Sequence, residues 1–296
     1  MPYSRFASSF RAMPLRRSLW IVIVGACAVL APSADADGPA ATAGLRDVGG
    51  VKLYTQIYGV GAPIVFLHGG LHFFENSFQG QRDFFASYRK VIGIDQPGHG
   101  RSPDDGRPLS YKVMADNTAA LIEQLGVGPV DVVGHSDGGN VGLLLARDHP
   151  ALVRRLVISG ANIRSGLSPD EAKRRSQRSA QEVSDKLPPV FRADYVKVTP
   201  DGADHWLTMV AKSQQLWLTP VVIEPAELKT LKMPVLVIAG DRDFTPIEET
   251  VEIFRNLPQG QLLIVPATGH GTFSERPAFM NEAIRTFLEQ PVPAPR

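Results

Sequence analysis

No stretch of the chain is more informative than Val130-Asp131-Val132-Val133-Gly134-His135-Ser136-Asp137-Gly138-Gly139. Its valines read as a short buried strand, and beyond the Gly-x-Ser-x-Gly pattern Val141, Leu144 and Leu145 fall on one helical face. A serine on a sharp strand-to-helix turn has a strained backbone and close neighbours, so small residues are needed two positions to either side. Gly134 and Gly138 stand there around Ser136. The pattern alone arises often by chance; the strand before it and the helix after it mark Ser136 as a candidate nucleophile. Shifting the frame to Asp137 would put His135 where a glycine is needed. Asp137 is therefore read as the residue whose backbone N–H faces the oxyanion, its carboxylate near the positive end of the following helix.

Outward from this turn, short apolar runs alternate with amphipathic stretches. Ile64–Leu67, Val91–Ile94, Leu156–Ile158, Val235–Ile238 and Leu262–Val265 read as buried parallel strands, and Val51–Tyr58 as an opening antiparallel pair. Met114, Thr118, Leu121, Ile122 and Leu125 share a helical face that core packing explains. The interval between the runs near Ser159 and Pro234 is too long for an ordinary crossover. It holds helical patches over Asp170–Asp185 and His205–Leu218, and is read as a helical cap inserted at the C-terminal edge of the sheet, where open α/β sheets bind ligands, with an ordinary pair of extra core helices as the alternative.

A serine needs a base and a carboxylate to orient that base. Of seven histidines, His270 alone follows the last predicted strand and precedes the last helix, which brings it to the same edge as Ser136. His68, His72, His99, His135, His149 and His205 are read as structural or surface histidines. Gly240-Asp241-Arg242-Asp243 emerges at that edge as well; Asp243 is preferred as the acid, with Asp241 as its local rival. A second oxyanion donor is available from His68-Gly69-Gly70-Leu71, with Gly70 ahead of Leu71. One such donor is worth ~3–4 kcal/mol in the transition state. Leu71, Trp206 and Trp217 are candidate substrate-binding residues, although bulky cap residues serve equally well to glue the cap to the core. Phe73, Phe74 and Phe78 carry the same two readings.

Composition narrows the function classes. With 296 residues, 31 Lys+Arg against 30 Asp+Glu and 44% hydrophobic residues, the chain can bury a sizeable core but has no field to attract nucleic acid. Arg5, Arg11, Arg16 and Arg17, the apolar run Leu19–Ala31 and Ala34-Asp35-Ala36 read as an export signal over residues 1–36 with cleavage after Ala36. A twin-arginine signal at Arg16-Arg17, a lipobox ending at Cys27 and an uncleaved anchor are the competing readings. Removal of the signal would take the lone cysteine with it, leaving an exported chain without stable membrane association and without cysteine chemistry. No metal-ligand spacing or phosphate-binding glycine loop is evident.

The chain resembles the α/β-hydrolase superfamily, in its branch of capped serine hydrolases. The resemblance rests on His68-Gly69-Gly70, Asp95-Gln96-Pro97-Gly98-His99-Gly100-Arg101-Ser102, Gly134–Gly139, Gly240–Asp243 and Gly269-His270, in the order serine, acid, histidine. It implies an α/β fold with a mostly parallel eight-stranded sheet flanked by helices, the core formed by 37–162 and 233–296 and the cap by 163–232. It also implies hydrolysis without a cofactor or metal: Ser136, Asp243 and His270 as the triad, Gly70 and Asp137 as the oxyanion donors, and a small-molecule ester or lactone as substrate. Carbon–carbon bond hydrolysis, cofactor-free haloperoxidation and non-catalytic binding are the alternatives within this fold.

Overall fold

Alternation of side chains along the central strands sends apolar residues to two opposite faces, and helices cover both. The computed structural model describes residues 42–164, 169–219, 221 and 223–291. The proposed signal over 1–36, with Cys27 and the Ala36 cleavage point, lies outside them. In chain order the elements are β1 (Thr42–Val48), β2 (Val51–Tyr58), β3 (Pro63–Leu67), α1 (Phe74–Ala86), β4 (Lys90–Asp95), α2 (Tyr111–Leu125), β5 (Val130–His135), α3 (Asp137–Asp148) and β6 (Val153–Ser159). After these come α4 (Pro169–Ser176), α5 (Ala180–Ser184), α6 (Pro189–Val198), α7 (Trp206–Leu218) and α8 (Pro225–Leu228). The chain then returns to the sheet with β7 (Val235–Gly240), α9 (Ile247–Asn256), β8 (Gly260–Val265), α10 (Thr272–Glu275) and α11 (Pro277–Glu289).

The eight strands form one sheet in the order β1-β2-β4-β3-β5-β6-β7-β8. β2 runs antiparallel to β1 and β4, and every other neighbouring pair is parallel. Val65, Leu67, Ile92, Ile94, Val132, Leu156, Ile158 and Val237 pack on residues of α2, α3 and α9. Ile64, Phe66, Val91, Val133, Val157 and Ile238 pack on the other side against α1, α10 and α11. Phe74 and Phe78 are fully buried in this second layer, which makes them core residues rather than pocket walls.

Two expectations change. Val51–Tyr58 is a single strand, and its antiparallel partner is Thr42–Val48, whose mostly exposed residues give no apolar signal. Asp170–Asp185 is two short helices, the second started by Ser179, whose side chain accepts from the Glu182 N–H while the Glu182 carboxylate accepts from the Ser179 N–H. Within the segment read as the cap, Ile163, Leu216, Val221, Ile223, Leu228 and Leu231 pack into the core layer, and Glu227 on α8 pairs with Arg147 of α3 at 3.1 Å.

At the opposite end of β5 from Ser136, Asp131 is fully buried between Arg89 and Arg154, whose Nε lies 2.8 Å from its Oδ1. Arg89 is itself 5% exposed and donates through Nε to the Ala62 carbonyl. Asp131→Ala would leave a buried guanidinium without its counter-charge. The expected cost is ~3–5 kcal/mol of unfolding free energy; an unshifted urea midpoint would show that water replaces the carboxylate.

Candidate active site

Ser136 has φ 53° and ψ −120°, between the end of β5 and the start of α3. A non-glycine residue holds such a conformation only when its surroundings enforce it. The Ser136 N–H donates to the Ser159 carbonyl at 2.8 Å. A Cβ at position 134 would overlap the Gly138 carbonyl, and one at 138 would overlap that of Leu67. The turn therefore closes only with glycine at both places.

The neighbouring loops bring the other two side chains to the serine. With the proton on Nδ1, His270 donates to Asp243 Oδ1 at 2.8 Å and accepts through Nε2 from the Ser136 hydroxyl at 2.9 Å. Burial raises the affinity of Asp243 for a proton, but the hydrogen bond and charge of His270, with the Thr245 N–H at 2.9 Å, outweigh it and hold the carboxyl below its usual value. Asp241, the rival, is exposed and accepts instead from the Thr268 N–H at 3.2 Å. Gly160, at φ 63°, leaves room for the imidazole: a Cβ there would lie 2.7 Å from His270 Cε1.

Other histidines build the frame. His135 donates through Nε2 to the His270 carbonyl at 2.8 Å and is held neutral, its pKa pushed down to about 3 by burial and then by His270. His68 donates through Nδ1 to Gly69 O and accepts from the Gln96 N–H, joining the ends of β3 and β4. His99 donates to Pro97 O. His149 pairs with Asp116 at 3.0 Å, away from the site, and His205 meets Tyr195 and Asp104 where the cap rests on the loop after β4. His72 lies edge-on to Phe191 of α6, with centroids 4.4 Å apart.

Gly70 lies beside the elbow, where an added Cβ would collide with Asp137 Oδ2 and lie 2.9 Å from the Trp217 ring. The Asp137 carboxyl is held differently from the expectation. Its Oδ1 accepts from the Tyr111 hydroxyl at 2.7 Å and its Oδ2 from the Trp217 indole N–H at 3.0 Å. Burial raises its pKa against the pull of both donors. Leu71, at φ 57° and 4% exposed, buries its side chain among Tyr195, Trp206, Met209 and Val210. Trp206 is 2% exposed and donates to Ser184 Oγ at 2.8 Å, which ties α7 to α5. On its outer side it borders a groove of about 630 Å³ with Leu187, Pro189 and Arg192, and this groove shares no residue with the triad.

Tyr111, Gly160 and Phe244 carry no clear functional signal in the sequence. Phe244 is 79% exposed, with its ring centroid 4.1 Å from that of His270. An aromatic next to the acid is its only mark, whereas Tyr111 reads as one more apolar residue at a helix start. Among the described residues no group of three or more His, Cys, Asp or Glu is placed to hold a metal ion, and no helix is long and apolar enough to cross a membrane. The arrangement can activate a hydroxyl nucleophile, relay its proton and offer backbone N–H groups to an oxyanion.

A family model described as alpha/beta hydrolase matches residues 64–283. The chain is 28% identical over 250 residues to an sn-1-specific diacylglycerol lipase of Mus musculus, covering 76% of this chain and 80% of the lipase. It is 26% identical over 264 residues to a 2-hydroxymuconate semialdehyde hydrolase of Pseudomonas sp. strain CF600, covering 81% and 92%. Among solved structures, one described as Est816, an N-acyl homoserine lactone degrading enzyme, superimposes with a TM-score of 0.69 at 27% identity, covering 82% of this chain and all of that one.

Buried neutral histidines make stability depend on pH. Burial holds His68 well below 6.5, with His99 adding to the effect, and burial pushes His99 down to about 4. Below the unfolded value the unfolded chain takes up the protons, so stability is full above it and falls on acidification by ~1.4 kcal/mol per pH unit for each histidine. Asp95, which burial raises to about 6, acts oppositely below that pH and offsets one histidine. The urea midpoint should therefore be lower at pH 5 than at pH 7; a higher midpoint would mean that these histidines charge within the fold.

Proposed function

The chain belongs to the alpha/beta hydrolase family, and from that membership we propose that it is a serine hydrolase that cleaves a carboxylic ester or lactone through an acyl-enzyme. The observation that carries the reading is the chain of hydrogen bonds from Ser136 through His270 to Asp243, 2.9 and 2.8 Å long, on a strained elbow.

In the proposed reaction Ser136 Oγ attacks the carbonyl carbon as its proton passes to His270 Nε2, while the N–H groups of Asp137 and Gly70 receive the oxyanion. Collapse of the adduct breaks the ester bond, and His270 returns the proton to the departing alkoxide. Water then gives a proton to His270 and attacks the acyl carbon, and Ser136 leaves with that proton. Asp243 stays ionised throughout, holding His270 in the tautomer that accepts from serine.

The rings of Phe191 and Trp217, which the cap brings near His72 and Asp137, favour a medium-sized neutral substrate over a strongly anionic one. The lipase and the lactone-degrading relatives accord with acyl cleavage. The semialdehyde hydrolase keeps carbon–carbon bond cleavage as the competing reaction. The basic and apolar pattern of residues 1–36 supports an exported mature chain, which would meet such substrates outside the cytoplasm.

The test is initial rates on p-nitrophenyl esters of increasing chain length. Ser136→Ala should abolish turnover, Asp243→Asn should lower kcat by ~10⁴ through the wrong imidazole tautomer, and Asp241→Asn should leave it unchanged. A folded wild type no faster than Ser136→Ala would end the ester reading.

A further inference from the structure

The cap touches the region assigned to the oxyanion at two independent points. Trp217, on the last turn of α7, donates its indole N–H to the Asp137 carboxyl, and Asp137 is the residue whose backbone N–H is assigned to the oxyanion. Gly70, the other assigned donor, lies against both groups, close enough that a Cβ would collide with Asp137 Oδ2 and crowd the indole. The second point is Leu71. Its left-handed backbone, φ 57°, costs ~1–2 kcal/mol for a residue with a Cβ, and its side chain is held in the cap cluster of Tyr195, Met209 and Val210.

We propose that Trp217 is a positioning residue through which the docked cap sets the geometry of the oxyanion pocket. Its indole fixes the elbow carboxyl from above as Tyr111 fixes it from the core, and the two leave Gly70 a single place to lie. A neutral donor is suited to this position. An ionised carboxyl beside the elbow opposes the charge that develops on the substrate oxygen, and engagement of both its oxygens restrains it without introducing a cation. The rest of α7 is clamped independently, since Lys212 Nζ lies 2.7 Å from Asp104 Oδ2 and also donates to the Arg107 carbonyl. A cap lifted from the core would thus lose the Trp217 contact and relax Leu71 together.

The proposal rests on the serine-hydrolase reading above, and its test uses a probe specific for the oxyanion. A trifluoromethyl ketone forms a hemiketal with Ser136 whose oxygen occupies the oxyanion position, whereas the matching methyl ketone reports ground-state binding. Trp217→Phe keeps the ring and removes the donor. It should lower kcat about tenfold, the equivalent of one hydrogen bond lost in the transition state, and raise the Ki of the trifluoromethyl ketone by the same factor. KM, methyl ketone affinity and the melting temperature should stay near wild type. Tyr111→Phe should behave alike, and the double variant should lose less than the product of the single losses, since both act through one carboxyl. Lys212→Met removes one cap anchor while the His205, Asp194 and Trp217 contacts hold the cap docked, so it should leave the ratio of the two ketone affinities unchanged. If Trp217→Phe does not fold, Tyr111→Phe carries the same test from the core side. A rise in KM alone, equal loss of both ketones, or unchanged kcat would overturn the proposal and make Trp217 a pocket wall. A wild type that neither turns over esters nor binds the trifluoromethyl ketone would overturn the hydrolase reading, and this proposal with it.

Discussion

The backbone of Ser136 is the constraint on which the site depends. At φ 53° and ψ −120° it turns the chain from β5 into α3 within one residue, and that conformation is unfavourable unless the surroundings hold it. The surroundings do so through contacts closer than any side chain would permit: Gly134 against Gly138, Gly138 against the end of β3, and the Ser136 N–H bonded to the end of β6. β3 and β6 flank β5 on either side. The strain is therefore carried by the centre of a sheet buried on both faces, and the hydroxyl is presented at the sheet's edge.

The loops after β7 and β8 answer that placement. Asp243 and His270 come from adjacent strands, and His270 is held at its ring by Asp243 and at its carbonyl by His135, the residue preceding the serine. Gly160 supplies the space into which the imidazole fits. On the other side of the elbow, His68 and Asp95 order the ends of β3 and β4, the latter by accepting from the N–H groups of Phe74 and Arg101. Burial keeps His68 and His99 neutral, and both oxygens of the Asp95 carboxyl are met by backbone N–H groups.

The cap follows different physics. Its helices are short and partly polar, and they are anchored by a few strong points: Trp206 to Ser184 within the cap, Lys212 and His205 to Asp104, Asn76 to Asp194, and Trp217 to Asp137. The contacts to Asp104 and Asn76 bind the cap to segments at the sheet's edge, and the contact to Asp137 reaches the elbow itself. Cap position and elbow geometry are thereby linked in the folded protein.

How much is legible in the sequence follows from the range of each signal. Val132, Ile158 and Val237 announce buried parallel strands because burial on both faces demands continuous apolar runs, and Gly134 and Gly138 announce the elbow because only glycine fits there. The order of Ser136, Asp243 and His270 along the chain, each just after a strand, places all three at one edge. β1 leaves no trace because its exposed residues need no apolar pattern. The ends of the cap are not legible because Val221, Ile223, Leu228 and Leu231 look alike whether they bury against helix or sheet. Trp206 and Trp217 are equal in composition and sit on the same helix, yet one locks the cap and the other reaches the elbow. The sequence by itself determined the elbow, the buried parallel strands and the residues able to react, because those depend on neighbours in the chain. Tertiary structure alone put Asp243 rather than Asp241 against His270 and supplied the partners of Asp137 and of the cap side chains, because these depend on hydrogen bonds between residues as far apart as Asp137 and Trp217, 80 positions.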